Sequence, residues 1–291
     1  MDAEIAAAIG RATGQPFTLQ AVHAAGGGCI NTARVIVGSD GRRFFVKTNH
    51  ARYLAMFEAE AEGLEAIRAT GTLRVPRPIC SGTSADEAWL VLEYLEMGGR
   101  GSATELGRRL AALHRHTWDR YGWHRDNTIG STPQVNTPSD DWIAFYRDRR
   151  LGYQYALAAR RGAPRRLLDR GERLMRGLAG FFVGYRPAPS LLHGDLWGGN
   201  FAYSGGEPVI FDPAVYYGDR EADLAMTELF GGFTGEFYAA YREAWPLEAG
   251  YRVRRDLYNL YHVLNHFNLF GGGYLNQAER MTDALLAQLG A

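Results

Sequence analysis

The chain has 291 residues, which is about twice the usual length of a single domain and predicts two domains, or two lobes that share one interface. Its 32 Lys and Arg residues balance 32 Asp and Glu residues, so the formal net charge is zero. A neutral chain has no general basic surface for nucleic acid phosphates or anionic membranes, and we expect neither as a partner. Hydrophobic residues make up 46% and charged residues 22%, which is typical of folded globular proteins and excludes a disordered or fibrous chain.

Three features favour a soluble protein of the reducing cytosol. The two cysteines, Cys29 and Cys80, are too few for the disulfide framework of a secreted scaffold and lack the spacing of metal ligands. The first residues, Met1 to Glu4, contain two acids and no basic stretch before an apolar run, so they do not resemble a signal peptide. No window approaches the roughly 18 consecutive apolar residues of a transmembrane helix.

Short alternating segments dominate the N-terminal third. A short helical pattern precedes three segments with the alternation of antiparallel strands; a glycine-rich turn separates the first two, and Ser39-Asp40-Gly41 forms a hairpin turn before the third. A segment rich in Ala, Glu and Leu then predicts a helix, and an apolar run predicts a buried strand. These elements are the helix 4–11, the strands 17–22, 33–37 and 43–47, the helix 53–70 and the strand 89–95.

Helical patterns dominate the remainder of the chain. The exception is the segment 191–211, where two short apolar runs flank polar residues. This order predicts an α+β architecture, with a small sheet-rich N-terminal lobe over residues 1–95, whose last strand is the crossing, and a larger helical C-terminal lobe over residues 96–291. The predicted helices are 104–116, 141–160 and 165–184, with others near Ala222, Phe237 and Val253 and from Gln277 to the end.

The most informative segment is His193-Gly194-Asp195-Leu196-Trp197-Gly198-Gly199-Asn200, and the next apolar run ends in Asp212-Pro213. In phosphoryl transfer, one Asp takes the proton of the acceptor hydroxyl, while an Asn and a later Asp hold magnesium on the nucleotide phosphates. We therefore expect Asp195 to be the catalytic base and Asn200 and Asp212 to bind Mg²⁺. The alternative is that Asp195 and Asn200 only cap turns in a glycine-rich loop.

The N-terminal third has the features with which a kinase holds ATP. A glycine turn lets the backbone approach the phosphates, a strand Lys contacts phosphate oxygens, and a helix Glu orients that Lys through an ion pair. The strand Lys is Lys47, and Glu60 is the expected partner because it lies one helical turn before apolar Leu64; Glu58 is the second choice and Glu62 the third. The adenine is expected in the cleft between the lobes, against the backbone of residues 93–95. The predicted nucleotide-binding residues are Gly26, Gly27, Gly28, Cys29, Asn31, Lys47, Glu93, Tyr94 and Leu95.

Several short segments along the chain form one recognisable pattern. They are Gly26-Gly27-Gly28-Cys29-Ile30-Asn31, Phe45-Val46-Lys47, Met56-Phe57-Glu58, Pro133-Gln134-Val135-Asn136, Asp140-Asp141-Trp142, the segment from Leu192 to Asn200, Val209-Ile210-Phe211-Asp212-Pro213-Ala214, Phe230-Gly231-Gly232-Phe233 and Leu264-Asn265-His266-Phe267-Asn268. Taken together, these segments resemble the fructosamine kinase, or ketosamine 3-kinase, family over nearly the whole chain. Other kinases of the same fold share the spacing of Asp195 and Asn200 but lack the Asp-Leu-Trp and Pro-Gln-Val-Asn sequences.

The resemblance implies a bilobal protein-kinase-like fold related to aminoglycoside and choline kinases, with a nucleotide-binding N-terminal lobe and a catalytic, acceptor-binding C-terminal lobe. It also implies ATP and Mg²⁺ as cofactors. The expected activity is phosphorylation of the O3 hydroxyl of ketoamine sugars, which leads to deglycation. The sugar is a ribulosamine, an erythrulosamine or a fructosamine, carried by protein lysines or by free amines. The sequence leaves open these substrates and the choice between a monomer and a homodimer.

Two alternative functions remain. One is a kinase of another alcohol, such as an aminoglycoside or choline, because these enzymes share the phosphate-binding groups. The other is a non-catalytic nucleotide-binding pseudokinase, which the joint presence of Lys47, Asp195, Asn200 and Asp212 disfavours. No Ala-Pro-Glu segment follows Asp212, which argues against a protein kinase with a phosphorylated activation loop.

On the acceptor side, Trp197 is expected to cover the apolar face of the sugar, with a space-filling core role as the alternative. His266 is expected to contact substrate; it lies four residues after His262, but packing or sugar contact is favoured over a shared metal because no third ligand accompanies the pair. Cys29 in the glycine turn is either redox-sensitive or a small turn residue.

Other aromatic and histidine residues are expected to be structural. His114 and His116 end a helix, where the helix dipole favours a cation. A second set of aromatic residues repeats at helical spacing and is expected to lie in the core instead of forming a ligand box. This set is Phe230, Phe233, Phe237, Tyr238 and Tyr241.

Overall fold

The computed structural model describes residues 1–26 and 30–290. Within them the chain forms two compact units: residues 1–102 with 201–213, and residues 103–200 with the segment that begins at residue 214. The sequence-based division into 1–95 and 96–291 therefore differs from the observed units, because it leaves residues 96–102 and 201–213 out of the first unit.

The first unit is built on one antiparallel sheet of five strands. The strands are β1 (Leu19–Ala25), β2 (Thr32–Gly38), β3 (Arg43–His50), β4 (Pro78–Ser84) and β5 (Glu87–Glu93). Their order across the sheet is β1-β2-β3-β5-β4. The sequence predicted four of these strands and missed β4, which begins at a proline, a residue that cannot donate to the strand ladder.

Two helices pack on this sheet. Helix α1 (Asp2–Thr13) ends at Gly14, which has a positive φ of 68°, and its buried side chains Ile5 and Ile9 join a core that includes Val46 of β3. Side chains alternate across a strand, so Lys47 points to the face opposite Val46. Helix α2 (Leu54–Ala69) packs against β4 and β5 and buries Phe57, Leu64 and Ile67.

A later hairpin belongs to the first unit although it is distant in sequence. It comprises β9 (Phe201–Ser204) and β10 (Glu207–Ile210). The Ile210 amide donates to the Arg74 carbonyl oxygen at 3.0 Å, and the Gly98 amide donates to the Tyr203 carbonyl oxygen at 2.8 Å. The Arg74 guanidinium also pairs with Glu93 and Glu207. These contacts explain why the linear division of the sequence misplaced the hairpin.

The second unit is mainly helical. Its longest helix, α9 (Tyr251–Phe270), is buried along much of its length, which is expected of a helix that is largely surrounded by others. Two short strand pairs lie between its helices: β6 (Asn127–Ile129) with β7 (Thr132–Gln134), and β8 (Ser190–Leu192) with β11 (Tyr216–Gly218). The elements are α3 (Ala103–His114), β6 (Asn127–Ile129), β7 (Thr132–Gln134), α4 (Trp142–Phe145), α5 (Gly152–Arg160), α6 (Arg165–Arg176), β8 (Ser190–Leu192), β11 (Tyr216–Gly218), α7 (Glu221–Leu229), α8 (Gly235–Ala244), α9 (Tyr251–Phe270) and α10 (Tyr274–Gln288).

The helix predicted over residues 141–160 contains a π-helical turn, Tyr146–Leu151, between α4 and α5. This turn carries Arg150, which is fully buried. The Arg150 guanidinium donates to the Asn136 side chain at 2.7 Å and lies 4.0 Å from the centre of the Tyr216 ring. A wider turn of this kind changes the direction of the side chains that follow it, and the spacing of apolar residues in the sequence does not reveal such a turn.

None of the helices in residues 1–26 and 30–290 is long and apolar enough to span a membrane.

Candidate active site

The first unit brings three predicted site residues into direct contact. Lys47 leaves the inner strand β3, and its Nζ atom lies 2.5 Å from Glu60 Oε1 on α2 and 2.5 Å from Asp212 Oδ1. The predicted Lys47–Glu60 pair is therefore confirmed, ahead of the second and third choices, Glu58 and Glu62. The contact with Asp212 was not predicted, because Lys47 and Asp212 lie 165 residues apart in the sequence and no local pattern links them.

The charges of this cluster suit a bound cation. Burial alone lowers the pKa of the Lys47 amine, but the Asp212 and Glu60 carboxylates raise it above its ordinary value, so the lysine stays charged. Burial raises the pKa of Glu60, and the neighbouring Lys47 charge opposes that rise. One ammonium with two carboxylates leaves an excess negative charge, which a divalent cation on Asp212 would offset.

Asp212 has the backbone and exposure of a ligand. Its φ of 56° places a non-glycine residue in the left-handed region, where backbone strain is common at functional sites. Its side chain is 41% exposed, whereas that of Lys47 is 7% exposed. Lys47 contacts Oδ1, and the carboxylate also offers Oδ2, an oxygen of the type that Mg²⁺ prefers.

The predicted nucleotide-binding segments are partly described. Gly27, Gly28 and Cys29, with the redox hypothesis for Cys29, lie outside the described residues. Immediately after these residues, Asn49 donates to the Asn31 side chain at 2.8 Å and to the Ile30 carbonyl oxygen at 3.0 Å, which fixes the entry into β2. Gly26, immediately before them, is exposed.

The crossing segment of residues 93–95 has its own partners. The Glu93 amide donates to the Arg77 carbonyl oxygen at 2.8 Å, and the Arg43 guanidinium lies 4.4 Å from the centre of the Tyr94 ring. Leu95 is buried. Because the Glu93 amide is already bonded, the backbone groups of Tyr94 and Leu95 are the better candidates for an adenine edge.

The second unit contains the predicted catalytic loop. Asn200 is buried and its Nδ2 atom donates to the Asp195 carbonyl oxygen at 2.8 Å, with the Asp195 carboxylate oxygen Oδ2 at 3.4 Å. Since the amide nitrogen faces Asp195, Asn200 Oδ1 is the atom suited to a cation. The loop thus orders both side chains through one amide. The residue types at Asn200 and Asp212 fit Mg²⁺.

A buried carboxylate that the sequence analysis missed anchors this loop. Asp223 of α7 accepts the backbone amides of His193 and Gly194 at 2.7 and 2.8 Å. His114 Nε2 lies 3.1 Å from Asp223 Oδ2, and His114 Nδ1 lies 2.8 Å from the Tyr241 hydroxyl. His114 is structural as predicted, but it acts through this bond, deep in the interior, instead of through the helix dipole.

The Pro-Gln-Val-Asn segment, recognised only as a family signature, contributes to a buried polar network next to Ala214 and Val215. The Gln134 side chain donates to the Ala214 carbonyl oxygen at 3.1 Å and accepts from the Tyr261 hydroxyl at 2.9 Å. Asn127 donates to the Val215 carbonyl oxygen at 2.8 Å and accepts from Gln134 at the same distance. These bonds fix the backbone that follows Ala214.

The predicted substrate residues Trp197 and His266 both lie in the second unit. Trp197 is 40% exposed, which is the opposite of a core position. Its ring centre is 6.3 Å from that of Phe230, which is 4.9 Å from that of His266. Phe230 is 39% exposed, so the expectation of a core position is wrong for this residue.

The rest of that predicted core set, and His262, behave differently. Phe237 and Tyr241 are buried as expected. His262 is also buried, and burial lowers its pKa to about 3. Its carbonyl oxygen contacts His266 Nδ1 at 2.8 Å. These contacts agree with the preference for packing at His262.

A family model and two curated relatives match nearly the whole chain. The family model described as fructosamine kinase matches residues 1–288. A probable ketoamine kinase of Synechocystis sp. is 51% identical in an alignment of 290 positions that covers 97% of this chain and 96% of that protein. The chloroplastic protein-ribulosamine 3-kinase of Arabidopsis thaliana is 47% identical over 96% of this chain and 86% of that protein.

Solved structures extend the comparison to the fold. The crystal structure of a putative fructosamine-3-kinase from Haemophilus somnus has a TM-score of 0.90 at 29% identity and covers 97% of this chain and 96% of that one. An ADP-bound aminoglycoside phosphotransferase has a TM-score of 0.59 at 14% identity over 99% of this chain and 97% of that one, and at this identity the likeness concerns the fold alone. The expectation of an α+β, kinase-like fold is confirmed.

Proposed function

The chain belongs to the fructosamine kinase family, and from this premise we propose that it transfers the γ-phosphoryl group of ATP to the O3 hydroxyl of ketoamine sugars on glycated lysines or free glycated amines. The observation that carries the proposal is the buried Lys47, held between Glu60 and Asp212. A charged lysine fixed by a helix glutamate is what a kinase uses to contact nucleotide phosphates. The product would be a phosphorylated ketoamine, and deglycation would follow.

Within the first unit, each member of the cluster has one task. Lys47 binds a phosphate oxygen, and Glu60 keeps the ammonium in place when the Lys47–Asp212 contact loosens. Asp212 then provides carboxylate oxygen for Mg²⁺. Asn200, in the second unit, is the other residue that we expect to be a Mg²⁺ ligand, through its amide oxygen. Bound Mg²⁺ supplies neutralisation of the charge that develops on the phosphate oxygens. The residues that bind the nucleotide itself include the glycine turn and residues 93–95.

Within the second unit, the task of Asp195 is to accept the proton of the acceptor hydroxyl. Its backbone is held by Asn200, and the preceding residues are held by Asp223. A carboxylate fixed in this manner needs little reorganisation when the proton moves, which is the main advantage of a preorganised site. Half-buried Asp195 is also accessible enough to meet an acceptor.

The residues that bind the substrate, the sugar that accepts the phosphoryl group, are Trp197 and His266. An indole with an exposed face can cover the apolar C–H face of a sugar while the sugar hydroxyls stay available to polar groups. The names of the relatives, a ketoamine kinase and a protein-ribulosamine 3-kinase, support a ketoamine over an aminoglycoside or choline. The second name favours ribulosamine as the first sugar to test and protein lysines as its carriers.

The direct test is a kinase assay with ATP and Mg²⁺ over a panel of free and protein-bound ribulosamine, erythrulosamine and fructosamine, with kanamycin and choline as competing acceptors. We expect phosphorylation of at least one ketoamine, with the phosphate located on O3 by ³¹P–¹H correlation NMR. Asp195→Asn is the control for contaminating kinases. Phosphorylation of kanamycin or choline alone, or ATP binding without transfer to any acceptor, would replace this proposal with one of the two alternatives.

A further inference from the structure

A group of exposed and partly exposed aromatic side chains extends from Trp197 through Phe230 to His266 in the second unit. We call it the aromatic patch; its members are Trp197, Phe230, His266, Phe270 and Tyr274. The His266 ring is central, with its centre 4.9 Å from Phe230, 5.7 Å from Phe270 and 5.1 Å from Tyr274. Among the described residues, seven large hydrophobic side chains are exposed, and three of them, Trp197, Phe230 and Phe270, belong to this patch. Such clustering marks a binding surface, because single exposed apolar residues are ordinarily scattered.

The backbone is shaped to bring these rings together. A Cβ atom added at Gly198 would lie 2.8 Å from the Gly231 carbonyl oxygen, and one added at Gly232 would lie 2.7 Å from the Gly198 Cα atom. Only glycines permit this approach of the two loops, which places Phe230 beside Trp197. A side chain at Gly199 would collide with the Trp197 ring. The Trp197 indole thus lies against its own backbone and is supported from behind.

His266 contributes a hydrogen-bond acceptor to the patch. Its Nδ1 atom lies 2.8 Å from the His262 carbonyl oxygen, and a carbonyl can only accept, so Nδ1 carries the proton. Burial lowers the pKa of His266, and the ring is therefore neutral at pH 7. In this tautomer Nε2 has a lone pair and accepts a hydrogen bond from an N–H or O–H group.

Among the residues that the structure describes, no Lys or Arg side chain covers the face of a ring of the aromatic patch. Several Arg guanidinium groups stack on aromatic rings elsewhere, for example Arg220 on Trp245 and Arg254 on Tyr185. Across residues 1–26 and 30–290, none of these cation–π contacts uses a ring of the aromatic patch. Aromatic faces with a neutral acceptor among them are suited to an organic cation.

We propose that the aromatic patch binds the alkylammonium part of the acceptor, namely the amine nitrogen of the ketoamine and the methylene groups attached to it. This inference rests on the proposed function. In a ketoamine, the nitrogen is one carbon away from the keto carbon, which is bonded to the carbon that carries O3. A sugar on Trp197 therefore has its amine nearby, and that secondary amine is largely protonated at neutral pH. Phe230 and Phe270 provide the ring faces and apolar surface, and His266 Nε2 accepts an N–H.

The proposal predicts that the protein binds a ligand with a charged amine more tightly than a ligand with the same sugar and no amine. The test uses calorimetric titration of the full-length protein with Mg²⁺ and ADP. Two probes are compared: 1-deoxy-1-hexylamino-ribulose and the ether in which oxygen replaces its nitrogen. We expect the wild type to bind the amine about three- to thirty-fold more tightly than the ether, the range of a cation–π contribution.

Leucine variants separate the ring face from its apolar surface. Phe230→Leu and Phe270→Leu should each reduce the amine-to-ether preference towards one, with the ether affinity changed by about two-fold or less. Phe270 is 54% exposed, so Phe270→Leu keeps the test open if Phe230→Leu does not fold. Trp118→Leu removes another exposed aromatic ring of the second unit, one that is 38% exposed and lies outside the patch, and should leave the preference unchanged.

A phosphorylation assay on the same amine probe distinguishes the two proposals. Phosphorylation without a preference for the amine in the wild type, or with the full preference kept in every folded leucine variant, overturns the aromatic-patch inference and leaves the proposed function standing. A preference that the leucine variants remove, without phosphorylation of any ketoamine by the wild type, retains the patch and overturns the proposed function.

Discussion

His114 and Asp223 form a hydrogen bond of 3.1 Å between Nε2 and Oδ2 in the interior of the second unit, where both side chains are almost completely buried. The same carboxylate accepts two backbone amides of the segment that leads to Asp195. The position of the predicted base, Asp195, therefore depends on Asp223, a side chain that takes no part in the proposed reaction. Asp223 is a positioning residue.

Asp223 should make the protein sensitive to acid. Burial alone would raise the pKa of Asp223, but hydrogen bonds from His114 and the Gly194 amide lower it below its ordinary value. A lowered pKa in the folded state means that the stabilisation is complete above the unfolded pKa of about 4 and is lost as pH falls through the folded pKa. Urea unfolding of the wild type between pH 2 and pH 7 should show this loss below about pH 4.

Asp223→Asn should remove most of that acid dependence and lower the free energy of unfolding at pH 7 by about 2 to 4 kcal/mol, since a buried acceptor of three hydrogen bonds is weakened. Asp169→Asn, at an exposed carboxylate, is the matched control and should change little. An unchanged acid limb in Asp223→Asn would contradict the assigned role. A fall in kcat without a change in the KM for ATP would indicate that the Asp195 loop has moved.

Asp195 and Asp212 should fail in different ways when each is changed to Asn. Asp195→Asn should reduce kcat by roughly 100-fold or more while the affinity for Mg-ATP stays close to normal, because only proton transfer is lost. Asp212→Asn should weaken Mg-ATP binding as well as the rate, because a magnesium ligand and a partner of Lys47 are lost together. Steady-state kinetics with nucleotide titration checks both. Normal turnover by Asp195→Asn would exclude it as the base.

Trp197→Ala should raise the KM for the ketoamine and lower kcat/KM, while the KM for Mg-ATP and the melting temperature change little. The reason is that the indole is 40% exposed, so its loss removes substrate contact and little packing. Trp89→Ala provides the contrast, since Trp89 lies in the core of the first unit and removal of a buried Trp costs about 3 to 5 kcal/mol. A large fall in melting temperature for Trp197→Ala with an unchanged ketoamine KM would refute the platform role.

Arg254 and Glu221 form a bidentate ion pair in the second unit, with Nε–Oε2 and Nη2–Oε1 distances of 2.7 and 3.0 Å and side chains that are 2% and 0% exposed. Glu221→Ala should lower the free energy of unfolding by about 3 to 5 kcal/mol, because it leaves a guanidinium buried without its carboxylate. The double variant Glu221→Leu with Arg254→Met should lose much less. Chemical denaturation of the single and double variants measures the difference, and equal losses would show that the charge is not the cause.

The sequence was sufficient where function depends on local spacing. Lys47 and Glu60 were paired from strand order and one helical turn, and the Asp195–Asn200 loop from its motif. It was insufficient where distant segments meet. Nothing near Asp223 indicates that its carboxylate caps the backbone at residues 193–194, and the apolar character of Phe230 does not reveal that a loop holds it at the surface.

The division of the first unit also restricts how it can fold during synthesis. The ribosome releases residues 1–102 early, but the hairpin that completes this unit, in residues 201–213, emerges only after about a hundred further residues. Until then Arg74 lacks its backbone partner in β10, and Lys47 has Glu60 but not Asp212. A nascent chain stalled between the two segments would therefore hold all five strands of the sheet but lack the β9–β10 hairpin that completes the unit. A fragment cut after residue 102 would hold the same incomplete unit, whereas joining residues 201–213 to that fragment through a short linker would restore its missing piece.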